Sequence, residues 1–258
     1  MLEQFSVDGQ TVIITGSSQG IGAVTAKRFA DDGANVVVSS RSQEKIDAVA
    51  DEINDGDADG QAIAVECDVR DRDSVDALVE ATVDEFGSLD CMINNAGASF
   101  MASFDDISEN GWKTIVDINL HGTFHGAQAA GAAMKENGGG TIINFASVAG
   151  TQGSRYMPHY GAAKAAVINF TTSLSVEYAD HDIRVNCIAP GLVATPGVAS
   201  QMGITASDID RYEIAKDIGV PEEIADVAQF LASDASTYLV GETVVVKGTP
   251  RLEDSSAD

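Results

Sequence analysis

The chain has 258 residues, of which 44% are hydrophobic, so it can bury one full core and we expect a single domain. Forty acidic against 15 basic residues give a formal net charge of -25, which argues against nucleic acid and anionic membranes as partners because both require local positive potential. The same acidity indicates adaptation to concentrated salt, which would screen the self-repulsion.

No stretch predicts a membrane span or secretion. The longest apolar run, at residues 141–150, is broken by Asn, Gly and Ser well before the ~20 residues that a bilayer crossing needs. The first residues show no secretory pattern, so we expect a cytoplasmic protein. Cys67, Cys91 and Cys187 are odd in number and lie in or beside apolar runs, which indicates reduced core thiols.

Strand and helix patterns alternate along the chain. β-Branched runs predict strands at residues 11–15, 35–39, 62–66, 89–93, 141–145, 183–188 and 243–246. Apolar residues at helical spacing predict helices at 20–32, 42–53 with a serine N-cap, 74–86, 111–136, 160–179 and 221–233. This alternation predicts an α/β protein with a doubly wound, parallel, seven-stranded sheet, a Rossmann fold.

Two segments fall outside the alternation. Residues 195–219 form the longest connection without strong periodicity, and we assign them to substrate capture because long loops over the C-terminal edge of a sheet often serve as lids. Residues 249–258 are polar and acidic, and they predict a tail that follows one catalytic domain of residues 1–248.

A glycine-rich turn, Thr-Gly-Ser-Ser-Gln-Gly-Ile-Gly at residues 15–22, joins the first strand to the first helix. Missing Cβ atoms there let backbone N–H groups and the helix N-terminus approach a pyrophosphate. Glycines also serve tight turns and close packing, so the position after the first strand gives the motif its weight. The expected phosphate contacts are Gly16, Ser18, Gln19, Gly20, Ile21 and Gly22.

The second predicted strand ends in Ser39-Ser40-Arg41, without the acidic residue that would hold an adenosine 2′-hydroxyl. Arg41 could pair with a 2′-phosphate, and the alternative is a solvated surface arginine. The position about 20 residues past the glycines favours cofactor contact, so NADP is predicted over NAD.

Tyr160 and Lys164 are spaced i,i+4 at the start of a predicted helix and share one face. A free phenol has a pKa near ~10, and a neighbouring cation would lower that pKa toward the working range of a base. Such a pair is often accidental on a surface. Its weight here comes from Ser147, at the end of a strand, whose hydroxyl could hold a substrate oxygen.

In these motifs the chain resembles the short-chain dehydrogenase/reductase family over essentially its whole length. Further motifs that carry the resemblance are Asp68-Val69, Asn94-Asn95-Ala96-Gly97, Asn119 and Pro190-Gly191. The resemblance implies that Tyr160 is the general acid/base and that Lys164 lowers its pKa and holds the nicotinamide ribose. It also implies that Ser147 orients the substrate oxygen and that Asn119 anchors a proton-relay water.

The resemblance implies further cofactor contacts along the chain. They are Asp68 and Val69 around the adenine, Asn95, Ala96 and Gly97 beside the cofactor, Thr195 on the carboxamide, and Pro190, Gly191 and Val193. The Asn-Asn-Ala-Gly run could equally close a strand with side-chain hydrogen bonds. Gln19 replaces the basic residue common before Gly20 in NADP-preferring members, and the last strand lacks the frequent Asp-Gly-Gly ending.

The function implied is an NAD(P)-dependent oxidoreductase that moves a hydride between nicotinamide and a carbonyl or secondary alcohol. A 3-oxoacyl thioester or another keto compound is the favoured small-molecule substrate, and a sugar or glucose-type alcohol is the alternative. A dinucleotide sensor without turnover is a second class of function. The resemblance further suggests a homotetramer. His121 and His125 lack a third ligand, so no metal is expected, and Trp112 is predicted as a packing anchor.

Overall fold

Apolar, β-branched segments form a parallel sheet of seven strands in the computed structural model, which describes residues 2–249. The strands are β1 (Thr11–Thr15), β2 (Asn35–Ser40), β3 (Ala62–Glu66), β4 (Cys91–Asn94), β5 (Gly140–Phe145), β6 (Ile183–Pro190) and β7 (Thr243–Val246). Their order in the sheet is β3-β2-β1-β4-β5-β6-β7, and all neighbours pair in parallel. The predicted doubly wound α/β fold is confirmed.

Helices cover both faces of this sheet. They are α1 (Gly20–Asp31), α2 (Gln43–Asn54), α3 (Arg72–Phe86), α4 (Glu109–Val116), α5 (Gly122–Glu136), α6 (Val148–Gln152), α7 (Pro158–Ala179), α8 (Pro196–Met202) and α9 (Pro221–Ala232). None of these helices is long and apolar enough to span a membrane, a statement that covers the described residues.

The core consists of two apolar layers, one on each face of the sheet. Val12 and Ile14 of β1 pack with α1, α2 and α9, whereas Ile13 packs with α3, α5 and α7. The split follows from strand geometry, because successive side chains point to opposite faces. All three side chains are fully buried, and burial of each stabilises the fold by about 1.5–3 kcal/mol. Cys67, Cys91 and Cys187 are buried free thiols, as predicted.

The helix predicted at residues 111–136 is an unbroken helical run in the structure, but it is not α-helical throughout. A π-helical turn, Asp117–His121, separates α4 from α5, and the Gly122 N–H donates to the Asp117 carbonyl five residues back. A single extra residue in a turn leaves the apolar periodicity on both sides almost unchanged, so the pattern could not reveal it. Trp112 on α4 is 38% exposed, so the packing anchor predicted there is only partly buried.

The segment at residues 195–219, predicted as irregular, contains α8 and a 3-10 turn at Ala206–Asp208. Thr195 caps α8 by accepting a hydrogen bond from the Val198 N–H at 3.4 Å, and Gly203 follows its last turn. The Thr-Pro start and the glycine end are ordinary helix boundary signals that weak periodicity had outweighed. Ser42 does occupy the N-cap position of α2, but its side chain makes no capping hydrogen bond.

The predicted acidic tail at residues 249–258 lies outside the described residues apart from Thr249. The boundary between the tail and the predicted domain of residues 1–248 therefore stays a prediction. The other element ends differ from prediction by at most two residues, as where β6 continues to Pro190 and pairs it with Val246 of β7.

Candidate active site

A cavity of about 940 Å³ opens at the edge where the parallel strands end. The strand order reverses between β1 and β4, and a crevice at such a reversal is where open α/β sheets bind ligands. All the predicted site residues except Asn119 line this cavity. They are Gly16, Ser18, Gln19, Gly20, Ile21, Gly22, Ser40, Arg41, Asp68, Val69, Asn95, Ala96, Gly97, Ser147, Tyr160, Lys164, Pro190, Gly191, Val193 and Thr195.

The glycine-rich turn is shaped by close contact with the end of β4. Gly16 has a φ of +69°, and a Cβ on it would lie 2.8 Å from the Ala96 Cα, so only glycine fits this position without strain. Ser17 fixes the turn to β2, because its hydroxyl donates to the Ile14 carbonyl at 2.7 Å and accepts from the Ser39 N–H at 2.8 Å. The turn thereby presents the N-terminus of α1 to the cavity.

Asn95 holds the same turn from the other side. Its side-chain amide donates to the carbonyls of Thr15 at 2.8 Å and Gly16 at 3.1 Å. Asn94 donates to Asn144 on β5 at 2.9 Å. Of the two roles left open for the Asn-Asn-Ala-Gly run, the side-chain contacts favour the structural one, although Asn95 also lines the cavity.

Positive charge gathers at one end of the cavity, beyond β2. A hollow there is lined by Ser18, Gln19, Ser40, Arg41, Ser42 and Lys45. Sequence analysis missed Lys45, which lies in the first turn of α2, whereas Arg41 precedes that helix. Asp68 lies close by, and its pKa is lowered mainly by the hydrogen bond from Arg70 and in smaller part by Arg41.

These features fit a nicotinamide dinucleotide. The turn at Gly16 leaves no room for a side chain, the α1 N-terminus favours negative charge, and two cations line the adjoining hollow. The cavity volume is also near the upper end of the ~300–1,000 Å³ typical of small-molecule sites.

Ser147, Tyr160 and Lys164 meet at the other end. The Ser147 hydroxyl caps α6 by accepting from the Ala149 N–H at 3.2 Å and also hydrogen bonds with Tyr160. Lys164 is 3% exposed, donates to the Phe145 carbonyl at 2.6 Å, and has its ammonium 5.7 Å from the Tyr160 ring centroid. The strand end of β5 and the first turns of α7 thus bring together three residues that are far apart in sequence.

Burial dominates the pKa shifts of Tyr160 and Lys164. Burial raises the pKa of the Tyr160 phenol, and the hydrogen bond with Ser147 opposes that rise. Burial also lowers the pKa of Lys164 to about 8. Lys164 is not among the groups that shift the Tyr160 pKa, since desolvation dominates and the ammonium hydrogen bonds to the Phe145 carbonyl, so the implied lowering of that pKa by Lys164 stays a prediction.

Asn119 lies within the π-helical turn and is fully buried instead of lining the cavity. Its amide donates to the carbonyls of Ala98 at 2.8 Å and Ile115 at 2.9 Å, while its Oδ1 has no hydrogen-bond partner among the described residues. A Cβ on Gly97 would lie 2.9 Å from this oxygen and 3.6 Å from Lys164 Nζ. The glycine therefore keeps open the space beside both groups, where a water could accept from Lys164 and donate to Asn119.

His121 in the π turn and His125 on α5 each contact a neighbouring polar group. His121 pairs with Asp117 at 2.9 Å, and a ring nitrogen of His125 lies 2.9 Å from the Val69 carbonyl. Within residues 2–249, no group of three His, Cys, Asp or Glu side chains could hold a metal ion.

Comparisons with known proteins point to one family. A family model described as short chain dehydrogenase matches residues 10–202. The chain is 40% identical to the short-chain reductase protein NovJ of Streptomyces niveus over 92% of both chains. It is 37% identical to a 3-oxoacyl-[acyl-carrier-protein] reductase of Synechocystis sp., covering 94% of this chain and 97% of the relative. A solved NAD(P)-dependent gluconate 5-dehydrogenase candidate of Beutenbergia cavernae, with NADP at low occupancy, superposes with a TM-score of 0.85 at 33% identity, covering 95% and 98% of the chains.

Proposed function

The chain belongs to the short-chain dehydrogenase/reductase family and is an oxidoreductase, and from that premise we propose a ketone reductase or secondary-alcohol dehydrogenase in which Tyr160 transfers the proton. One observation carries the proposal. Ser147, Tyr160 and Lys164 converge at one end of a cavity whose other end offers a glycine cradle and two cations. A bound nicotinamide dinucleotide would supply the hydride or accept it.

The four proposed catalytic positions have separate tasks. Tyr160 donates a proton to the oxygen of a ketone, or removes it from an alcohol, and Ser147 holds that oxygen through its hydroxyl. Lys164, protonated below its pKa of about 8, would bind the ribose and favour the phenolate once the site is filled. Asn119 would hold a water through its free Oδ1, which connects Lys164 to solvent.

NADP is the proposed cofactor, with NAD as the weaker alternative. Arg41 and Lys45 support this preference because a 2′-phosphate gains charge-assisted hydrogen bonds that a 2′-hydroxyl does not make. The NADP bound to the Beutenbergia protein is consistent with it. The proposal extends to the dinucleotide contacts predicted along the cavity wall.

For the substrate, a 3-oxoacyl thioester or another keto compound stays the favoured class, and a sugar or sugar alcohol stays the alternative. The carrier-protein reductase of Synechocystis and the gluconate dehydrogenase candidate represent these two classes among the relatives. A sensor without turnover is disfavoured because Ser147, Tyr160 and Lys164 are all present and close together.

We also propose a homotetramer in a cytoplasmic, salt-rich setting. Phe124 on α5 and Val176 on α7 are exposed apolar side chains, and we propose these two helices as interface elements. Buried, unpaired cysteines suit a reducing compartment. The net charge of -25 would make unfolding require more denaturant as KCl concentration rises, and maximal stability in dilute buffer would contradict salt adaptation.

The experiment that tests the reaction is hydride transfer, followed by dinucleotide absorbance across a panel of ketones and secondary alcohols. Each compound is offered with NADP(H) and with NAD(H), and calorimetry on the same preparation verifies that the dinucleotide binds. Turnover of at least one ketone-alcohol pair supports the proposal. Tight dinucleotide binding without turnover of any compound would favour the sensor instead.

A further inference from the structure

We propose that the substrate is an uncharged, mainly apolar ketone or its alcohol, which binds without a carboxylate, phosphate or other anionic group. This inference rests on the proposed reaction for the position of the carbonyl at Tyr160. Its evidence is the contrast in charge between the two ends of the cavity.

The part of the cavity beyond Ser147 and Tyr160, here called the substrate half, has a neutral lining. Its main side chains are those of Phe100, Met101, Gln152, Met157, Leu192 and Met202. Apart from Tyr160 and Lys164 at its inner end, no described residue that lines this half is ionisable. Lys164 lies at the inner end beside Tyr160, where it donates to the Phe145 carbonyl, and is therefore remote from the far part of a bound substrate.

The lining suits an apolar molecule of variable shape. Phe100 is braced by His159 with ring centroids 4.3 Å apart, and the loop that carries it is joined to the start of α7 by the Ala102 N–H, which donates to the Tyr156 carbonyl at 3.0 Å. The three methionines are flexible and polarisable, and such side chains adapt to irregular apolar surfaces. Burial of a ligand here gains about 25 cal/mol for each Å² of apolar area.

Basic side chains on the segments that follow Met101 and Met202 in the chain are paired with acidic ones. Lys113 pairs with Glu109 at 2.6 Å, Arg211 pairs with Asp226, and Lys216 pairs with Glu223 at 2.9 Å. The 3-10 turns that follow Met101 and Met202 carry acidic residues, at Phe104–Asp106 and Ala206–Asp208.

The charge of the whole protein acts in the same direction. A net charge of -25 repels anions unless a local basic patch offsets it. Arg41 and Lys45 provide such a patch at the dinucleotide end. At the substrate end, Arg155 follows the lining residue Ser154 but stacks on the Tyr156 ring at 4.7 Å and does not line the cavity. Lys247, whose backbone packs against the lining residue Gly191, does not line the cavity either.

The test measures binding apart from turnover. Dissociation constants are determined on the Tyr160→Phe variant with NADP bound, for two matched pairs. One pair is 2-decalone and a decalone carboxylic acid, and the other is the N-acetylcysteamine and coenzyme A thioesters of one 3-oxoacyl chain. The neutral member of each pair should bind at least about tenfold tighter. Equal or tighter binding of the anionic members, or no binding of either neutral member, would overturn the proposal.

Turnover of the same compounds by the unchanged protein tests the reaction separately. Neutral ligands that bind tightly but are never reduced would refute the proposed function and leave the ligand class standing. Reduction that prefers the anionic members would refute the ligand class and leave the reaction standing.

A charge placed in the substrate half sharpens the test. Met202 is 51% exposed, so Met202→Lys should fold, and it should shift the anionic-to-neutral affinity ratio by about tenfold toward the anion. Met202→Gln is the neutral control and should leave the ratio within about twofold. Arg155→Gln should also leave it unchanged. The proposed ligand class would be overturned if Met202→Lys left the anionic-to-neutral affinity ratio unchanged. A sharp fall of that ratio in Arg155→Gln would overturn it as well.

Discussion

The two ends of the parallel strands differ in how completely their buried polar groups are hydrogen bonded. At the edge where the strands begin, Asp90 accepts from the Thr11 N–H at 2.7 Å, and the guanidinium of Arg184 donates to Thr141, to Ser236 and to the last carbonyls of α9. At the edge where the strands end, Asn119 Oδ1 has no partner among the described residues, and a buried lysine is held at a lowered pKa.

The difference separates stability from function. Polar groups that bond to one another stabilise the fold, whereas buried groups without partners cost free energy unless a ligand or water completes them. Substitutions at the edge where the strands begin should therefore change the free energy of unfolding. Substitutions at the edge where the strands end should change binding or turnover.

The largest effect is expected from Tyr160→Phe at the strand-end edge. The variant lacks the hydroxyl proton and keeps the ring, so kcat should fall by about 10²–10⁴ while the dinucleotide dissociation constant stays nearly constant. Steady-state kinetics and calorimetry measure the two quantities. Retained turnover would show that another group transfers the proton.

Arg184→Met should produce the largest loss of stability at the opposite edge. The guanidinium makes hydrogen bonds to the carbonyls of Leu231 and Ser233 and to Thr141, all of which would lose a donor. We expect the free energy of unfolding in urea to fall by about 3 kcal/mol, with kcat of the folded variant little changed. Arg211→Met removes an exposed pair with Asp226 and is the control, with a change of about 0.5 kcal/mol or less. Similar losses of unfolding free energy in both variants would show that the edge where the strands begin has no special role in stability.

Lys164→Met tests the cost of a buried cation. Burial lowers the pKa of Lys164 to about 8 from an ordinary value near ~10.4, so between these pH values the unfolded chain binds more protons than the folded one. The contribution of this group to stability therefore rises with pH across that window. Without dinucleotide, the variant should be more stable than the unchanged protein at pH ~7 by about 2 kcal/mol, and this advantage should vanish toward pH ~10. A difference in urea unfolding that stays constant with pH would contradict the buried charge.

Sequence reasoning was most successful where a pattern has one physical cause. The glycines after β1 and the i,i+4 pair of Tyr160 and Lys164 could be located because strand, turn and helix periodicity fix their positions at the sheet edge. The parallel sheet followed from the alternation of elements, and its seven strands agree with the structure within two residues at each end.

Sequence reasoning failed where a position depends on contacts from distant segments. The π turn around Asn119 adds one residue without disturbing the apolar pattern, and the lining of the substrate half comes from three separate segments of the chain. The direction of the Tyr160 pKa shift also depends on how deeply α7 buries the phenol, which i,i+4 spacing does not reveal. Lys45 is a further such case, because Arg41 precedes α2 and only the folded chain brings the two cations to one hollow.

The smallest effect is expected from substitution of the two cations, Arg41 and Lys45, that line the hollow beyond β2. Arg41→Ala should weaken NADP binding by about tenfold and NAD binding by less than about twofold, because only the 2′-phosphate loses a charge-assisted hydrogen bond. Lys45→Ala alone should have a smaller effect in the same direction, since a flexible ammonium lacks the paired donors of a guanidinium. Lys27→Ala, which removes an exposed pair with Glu52 outside the cavity, is the matched control. Titrations with both dinucleotides measure the ratio, and an equal loss for NAD and NADP in Arg41→Ala would mean that this edge binds the common part of the cofactor and does not discriminate the phosphate.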